Sequence, residues 1–504
     1  MRKIEKKILR LFIITALLSI YSFQFPMSDN LKKWENRFYE GKFSEYTKFL
    51  QEKKGKSLSL NEKLFLAEAL IRSGNTLKAT EFINKLKNYK LILPEYLAVK
   101  AILYIAEGKL FKAKVVLDKA YELNKNSLRI FRGKLIYLLF LRDFKRANSL
   151  LLEINNKFKK FSTSGLYNKI GLEIYRYHQD INGLSTIYKS MVKIIRKKSG
   201  KSAVKNIKET AKLFKGKNIK SFFLESESDS VSIPLLEDNN GHLNMIKVKI
   251  GDKKYRVIID TGNMTGWIIH NRDLREYLKP KKGGRIITKI GSESENLDGF
   301  SIYCKSLNLG DLSIKNLYGI YIPKPYSSFY DANLNPIYIR NRIISLDMIK
   351  RKVFFRTKER FMEYLEKNSK TEVFETRWFG NRYPLLPVII SGVNTFAILE
   401  TGAEDISLRE DFAKKIKSFL IPKSKFLSNG KKFNYFLSSA KIQMGKYIFV
   451  RKNAQVWPLK KYLNDFNGFS ADAVIGPDAF KDKFVISFLP EDNKIVFEYE
   501  KRKI

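Results

Sequence analysis

Residues 248–269 read VKIGDKKYRVIIDTGNMTGWII, and residues 388–408 read VIISGVNTFAILETGAEDISL. Laid over one another at an offset of 140, Val248 meets Val388, Ile250 meets Ile390, Ile258 meets Ile398, and Asp260-Thr261-Gly262 meets Glu400-Thr401-Gly402. Each stretch is an apolar run that ends on an acid, a threonine and a glycine, the pattern of a buried strand entering a tight turn. Downstream, LNLGDLSI ending at Ile314 parallels IQMGKYIF ending at Phe449, and IISLDMIKRKVFF from Ile343 aligns with VIGPDAFKDKFVI from Val474. Three blocks in one order predict an internal duplication, with one lobe over residues 233–368 and a second over 372–504.

Each half resembles the bacterial and retroviral-type (retropepsin-like) aspartic peptidase lobe, here with two lobes fused in one chain. The resemblance covers about Ile233 to Tyr499. It implies an all-β bilobal fold with Asp260 and Glu400 as catalytic residues facing each other across a cleft. Two such carboxyls share one proton: the charged member activates a water and the protonated one polarises the scissile carbonyl, with no cofactor and an acidic optimum. Thr261, Gly262, Thr401 and Gly402 would support the loops, the threonines bracing one against the other. A second family signature, two apolar residues and a glycine, is matched by Val474-Ile475-Gly476 and is read in the first half at Ile343-Ile344-Ser345.

Departures from that pattern bear on activity. Glu400 stands at the second acid position, where its extra methylene moves the carboxylate by roughly 1.5 Å, about one carbon–carbon bond. A displacement of about 1 Å can cost on the order of a hundredfold in rate. Ser345 takes the place of a glycine, and Asn263 follows Gly262 where the family has a small residue, while Ala403 follows Gly402 as expected. The segment Arg285–Phe300 is read as a flap or a plain surface hairpin, and Trp267 and Ile268 as cleft-lining or core residues. Three readings follow: an exported endopeptidase, a catalytically inactive peptide- or protein-binding module, and a dimer that pairs two copies of Asp260.

Upstream the pattern changes. From about Leu31 to Lys217 apolar residues recur at helical spacing with Pro94 as the single proline. Turn signals at Gly41, Gly74, Gly108 and Arg142 are separated by 33, 34 and 34 residues, a period that predicts stacked helical pairs. The unit Tyr96–Ser127, YLAVKAILYIAEGKLFKAKVVLDKAYELNKNS, resembles a tetratricopeptide repeat (TPR), with Ala113 and Ala120 as small packing positions. The fold class is therefore multidomain: an all-α TPR-like region over 31–217, offering a docking surface to a protein partner, followed by the all-β part. The serine-rich ESESDSVS, Glu225–Ser232, is read as the boundary.

The chain of 504 residues carries 95 lysines and arginines against 51 acids, a formal charge of +44. These cations are dispersed, and no zinc-finger or RNP motif accompanies them, so specific nucleic-acid binding is not expected. A single cysteine, Cys304, excludes an internal disulfide, and His178, His242 and His270 lack metal-ligand spacing, so no metal is implied. A basic start and the apolar run Leu11–Phe25 give residues 1–25 the form of an export signal, or of an anchor that associates with a membrane. The expected location is periplasmic or otherwise extracytoplasmic.

Overall fold

The computed structural model describes residues 38–39, 43–52, 58–86, 94–162, 164–177, 180–196, 208, 223–226, 228–237, 243–262, 267–278, 281–290, 293–322, 330–336, 339, 341–367, 371–379, 383–403, 405–426, 432–457, 471–481 and 483–499. A helical region is followed by a β-rich region. The segment expected as an export signal or anchor, residues 1–25, and His178, His242 and Asn263 lie outside the described residues. No helix among the described residues is long and apolar enough to cross a membrane.

The helices come in pairs joined by one recurring turn. Leu60–Arg72 pairs with Thr76–Lys85, Pro94–Ala106 with Leu110–Leu123, and Leu128–Phe140 with Phe144–Lys157. At each junction one residue adopts a positive φ: Gly74 at 81°, Gly108 at 73° and Arg142 at 55°. The following amide then reaches back to the preceding helix, Asn75 N–H to Leu70 O, Lys109 N–H to Tyr104 O and Asp143 N–H to Leu138 O, each at 2.8 to 2.9 Å. These bonds satisfy carbonyls that the helix end would leave open. Arg142 accepts the left-handed conformation that glycine supplies at the other two turns. Ala113 and Ala120 are fully buried, as small residues at a helix contact must be.

The helical core also holds charge. Glu68 is completely buried beside Arg72, Arg129 and Arg132, whose guanidiniums lie over the rings of Phe43, Phe65 and Phe38. Burial pushes the Glu68 carboxyl up, but the three cations outweigh it and hold it below the ordinary range. Glu68→Gln, which leaves three guanidiniums without their anion, is expected to cost about 3–5 kcal/mol in denaturant unfolding of the full chain. A loss under about 1 kcal/mol would mean that the aromatic rings alone hold the arginines.

The β region is built twice. In the first half the strand Lys253–Ile259 pairs in parallel with Ala332–Leu334, which runs antiparallel to Trp267–Ile269. In the second half Val393–Leu399 pairs in parallel with Ala473–Ile475, which runs antiparallel to Ile406–Arg409. A hairpin accompanies each set: Lys281–Ile290 with Glu293–Leu309, containing the segment expected as flap or surface hairpin, and Ile421–Phe426 with Lys432–Met444. The matched turns at Gly310 and Gly445 both have positive φ.

A six-stranded sheet joins the halves, in the order Thr371–Glu375, Lys494–Tyr499, Phe484–Leu489, Ile343–Asp347, Lys352–Arg356, Ser230–Pro234. Its first three strands come from the second half and its last three from the first, in mirrored order. At the centre Ser345 pairs with Ser487, and their hydroxyls are 2.7 Å apart. Ser345 thus belongs to the joining sheet and is not the counterpart of Gly476, which corrects the alignment expected for Ile343-Ile344-Ser345. The strand that pairs with the first acid strand is Ala332-Asn333-Leu334, and Asn335 follows it where Gly476 follows Ala473-Val474-Ile475. The serine-rich stretch also differs from its reading as a boundary. Ser230–Pro234 is an edge strand whose alternate residues Val231 and Ile233 are buried, and Phe223–Glu225 pairs with Leu312–Tyr321 ahead of it.

One apolar cluster fills the first half and the joining sheet, and includes much of the second half. Another runs from the helical core to Ile320, Ile322, Leu385, Ile398, Ala471 and Val474. Asn493 Nδ2, at the turn of the last hairpin, donates to Leu141 O at 2.9 Å.

Candidate active site

Strand pairing fixes both acids. Asp260 N–H donates to Leu334 O at 2.9 Å, and Glu400 N–H donates to Ile475 O at 3.0 Å, the same bond in each half. Just beyond, the halves lock together: Thr261 N–H donates to Thr401 Oγ1 at 2.9 Å, and Thr401 N–H donates to Thr261 Oγ1 at 3.0 Å. Both threonines are buried, so each hydroxyl satisfies an amide that would otherwise be stranded away from water.

The glycines that follow are required by contact. A Cβ at Gly262 would lie 2.6 Å from Glu400 Oε1 and 3.0 Å from Asp260 Oδ1, and one at Gly402 would lie 2.6 Å from Asp260 Oδ1. The two carboxyls therefore converge on the glycine loops, and the structure brings together Asp260, Thr261, Gly262, Glu400, Thr401 and Gly402. Tyr383 closes one side, its hydroxyl donating to Gly262 O at 3.4 Å.

The acids are held differently. Asp260 Oδ1 accepts the Gly262 amide at 2.7 Å, and Oδ2 accepts Asn333 Nδ2 at 3.0 Å. Glu400 meets burial and the charge of Asp260, which together push its carboxyl up to about 8. At neutral pH Glu400 holds a proton. The reach of glutamate brings Oε1 over Gly262 in the opposite loop, so the extra methylene is spent in crossing the axis between the halves.

The other residues weighed in the sequence lie away from the two carboxyls. Trp267 is core, 1 % exposed, and packs against Gly319, where a Cβ would meet its ring at 2.8 Å. Ile268 is half-buried and packs against the cluster shared with the helices. Cys304 is buried, its thiol pushed up to about 12 by burial. His270 is buried with Nδ1 3.3 Å from Ile322 O. Asn333 and Asn335 were not singled out by the sequence. Asn335 donates to Thr261 O at 3.0 Å, filling with a side chain the place where the second half has Gly476. The signal for both was the match of Ala332–Pro336 to Ala473–Pro477 at an offset of 141, hidden because asparagines replace valine and glycine.

No protein-family model matches the chain, and no curated protein matches it. Among solved structures the chain is similar to a retropepsin-like aspartic protease from Rickettsia conorii, at 15% identity, over 26% of this chain and 90% of that one, with a TM-score of 0.19.

The raised Glu400 carboxyl has a consequence for stability. Its folded value of about 8 lies above the ordinary 4.5, so folding takes up a proton between those values. The contribution is fully present below pH 4.5 and is lost as pH rises through about 8. Glu400→Gln, which cannot ionise, should melt higher than the wild type above pH 8 and show no such gain below pH 4.5. Parallel melts with the same difference at both pH values would remove the buried titration.

Proposed function

We propose that the chain is an exported aspartic-type endopeptidase in which Asp260 and Glu400 cleave extended peptides. The observation that carries this reading is the convergence of the two carboxyls on paired glycine loops braced by the reciprocal Thr261–Thr401 bonds. Asp260, charged, takes a proton from a water held between the acids. Glu400, protonated, donates to the carbonyl oxygen as the water attacks, and the proton taken by Asp260 passes to the leaving nitrogen. Because Glu400 is raised to about 8, the working window extends above the acidic optimum that an ordinary carboxyl pair implies.

The β region reads as a bilobal aspartic-peptidase fold, and the helical region as TPR-like repeats that dock a protein partner or present a substrate. Residues 1–25 would direct export or anchor the chain to a membrane. For the division itself we place the start of the β region near Phe223 and not at residue 233, a reading supported by the pairing of Phe223–Glu225 and Ser230–Pro234 into the sheets.

Asp260→Asn is expected to abolish cleavage of a peptide library, and Glu400→Gln to come close to doing so, with both variants folded. The wild-type profile should be bell-shaped, its alkaline limb near pH 8 and assigned to the pair. A second reading, a peptide-binding module without cleavage, is favoured by the glutamate at position 400. Peptide binding by wild type and Glu400→Asp, with no cleavage by either at any pH, would establish it and remove the enzyme. Loss of cleavage in Asp260→Asn with full activity in Glu400→Gln would instead point to two chains pairing Asp260.

A further inference from the structure

The two halves match at the backbone of their acid loops but not in the side chains of the strand that supports each loop. In the second half this strand presents Val474 beside Ile398 and ends in Gly476, neither of which has a side-chain donor. In the first half Asn333 stands in register with Ile258 and Asn335 follows two residues on, so both amides lie on the same side of the strand. Asn333 Nδ2 reaches Asp260 Oδ2 at 3.0 Å, and Asn335 Nδ2 reaches Thr261 O at 3.0 Å. With Gly262 N–H on Oδ1, Asp260 has a donor on each oxygen.

We propose that Asn333 is a positioning residue that keeps Asp260 the charged member of the pair and leaves the shared proton on Glu400. An amide N–H donates to a carboxylate more favourably than to a neutral acid, so a donor on one acid alone favours the charge on that acid. With an aspartate facing a glutamate the two placements of the shared proton are not equivalent, so where it rests bears on attack. Here the assignment is written into one strand, and the orientation of Asp260 is fixed by the same bond. Among the described residues, Glu400 of the opposite loop faces this carboxyl across Gly262, and the phenol of Tyr383 is held nearby at Gly262 O. Glu400, raised first by burial and then by its neighbour's charge, is consistent with an ionised Asp260. This proposal rests on the peptidase reading for its catalytic consequence, but the charge assignment can be measured without a substrate.

The test uses the full chain with Asn333→Leu, which keeps the approximate shape and removes the donor. Asn333→Val, a copy of the second half's Val474, serves if the leucine variant melts early. The carboxylate band of Asp260 is followed in carbon-13-aspartate-labelled protein by infrared difference against Asp260→Asn. Loss of one charge-assisted hydrogen bond should raise its titration midpoint by about one pH unit or more. Cleavage should then lose about tenfold in kcat, with its acid limb moved upward by the same interval and KM little changed. An unmoved Asp260 band in a variant that melts like wild type would overturn the proposal, whatever happens to activity. A band that moves in a protein that cleaves no peptide would uphold the positioning role and sink the enzyme reading. Cleavage with an unmoved band would do the reverse.

Discussion

The pair of hydrogen bonds between Thr261 and Thr401 is the constraint from which the site follows. Each is made by a buried amide of one half to the hydroxyl of the other, at 2.9 and 3.0 Å. A buried amide without a partner costs on the order of 1–3 kcal/mol, so neither loop can withdraw without stranding a donor in both. The acids stand one residue before these threonines and the glycines one residue after. Locking the threonines therefore fixes where the carboxyls meet and forces the absence of a Cβ at Gly262 and Gly402.

Around that symmetric lock the halves have diverged in ways that only a single polypeptide permits. Two identical chains would place the same residue at each site, whereas here aspartate faces glutamate, and Asn333 and Asn335 stand where the other half has Val474 and Gly476. The result is electrostatic inequality at nearly equivalent backbones. Asp260 is hydrogen-bonded on both oxygens, while Glu400 is subject to burial and its neighbour's charge and is driven up to about 8. The longer side chain, which looks in the sequence like an error of placement, is accommodated because it reaches past the axis to the opposite glycine.

Much of this was readable in the chain. The offset of 140 between the acid motifs survives in three dimensions as matched strand pairings and matched amide bonds, because those positions are constrained by burial and turn geometry. What misled was chemistry at positions where polar residues replace apolar ones. Asn333 and Asn335 disguised the supporting strand, and the nearby apolar Ile343-Ile344 drew the match to the joining sheet instead. The alternation in Ser230-Val231-Ser232-Ile233 is strand-like at period two, yet serine abundance suggested a domain boundary; the serines lie on the face opposite the buried Val231 and Ile233. Trp267 was open between cleft wall and core; it lies in the core, where only glycine at position 319 leaves room for its ring.

The joining sheet has a consequence for connectivity. Its central contact, Ile343–Asp347 against Phe484–Leu489, ties the halves through backbone hydrogen bonds and the two serines, independently of the covalent passage from Lys367 to Thr371. The peptide chain at that crossing is thus topologically redundant once the protein is folded. A backbone broken there would travel as one particle on size exclusion and separate into two fragments only under denaturation, behaving as a heterodimer of unequal halves made from a single translation product.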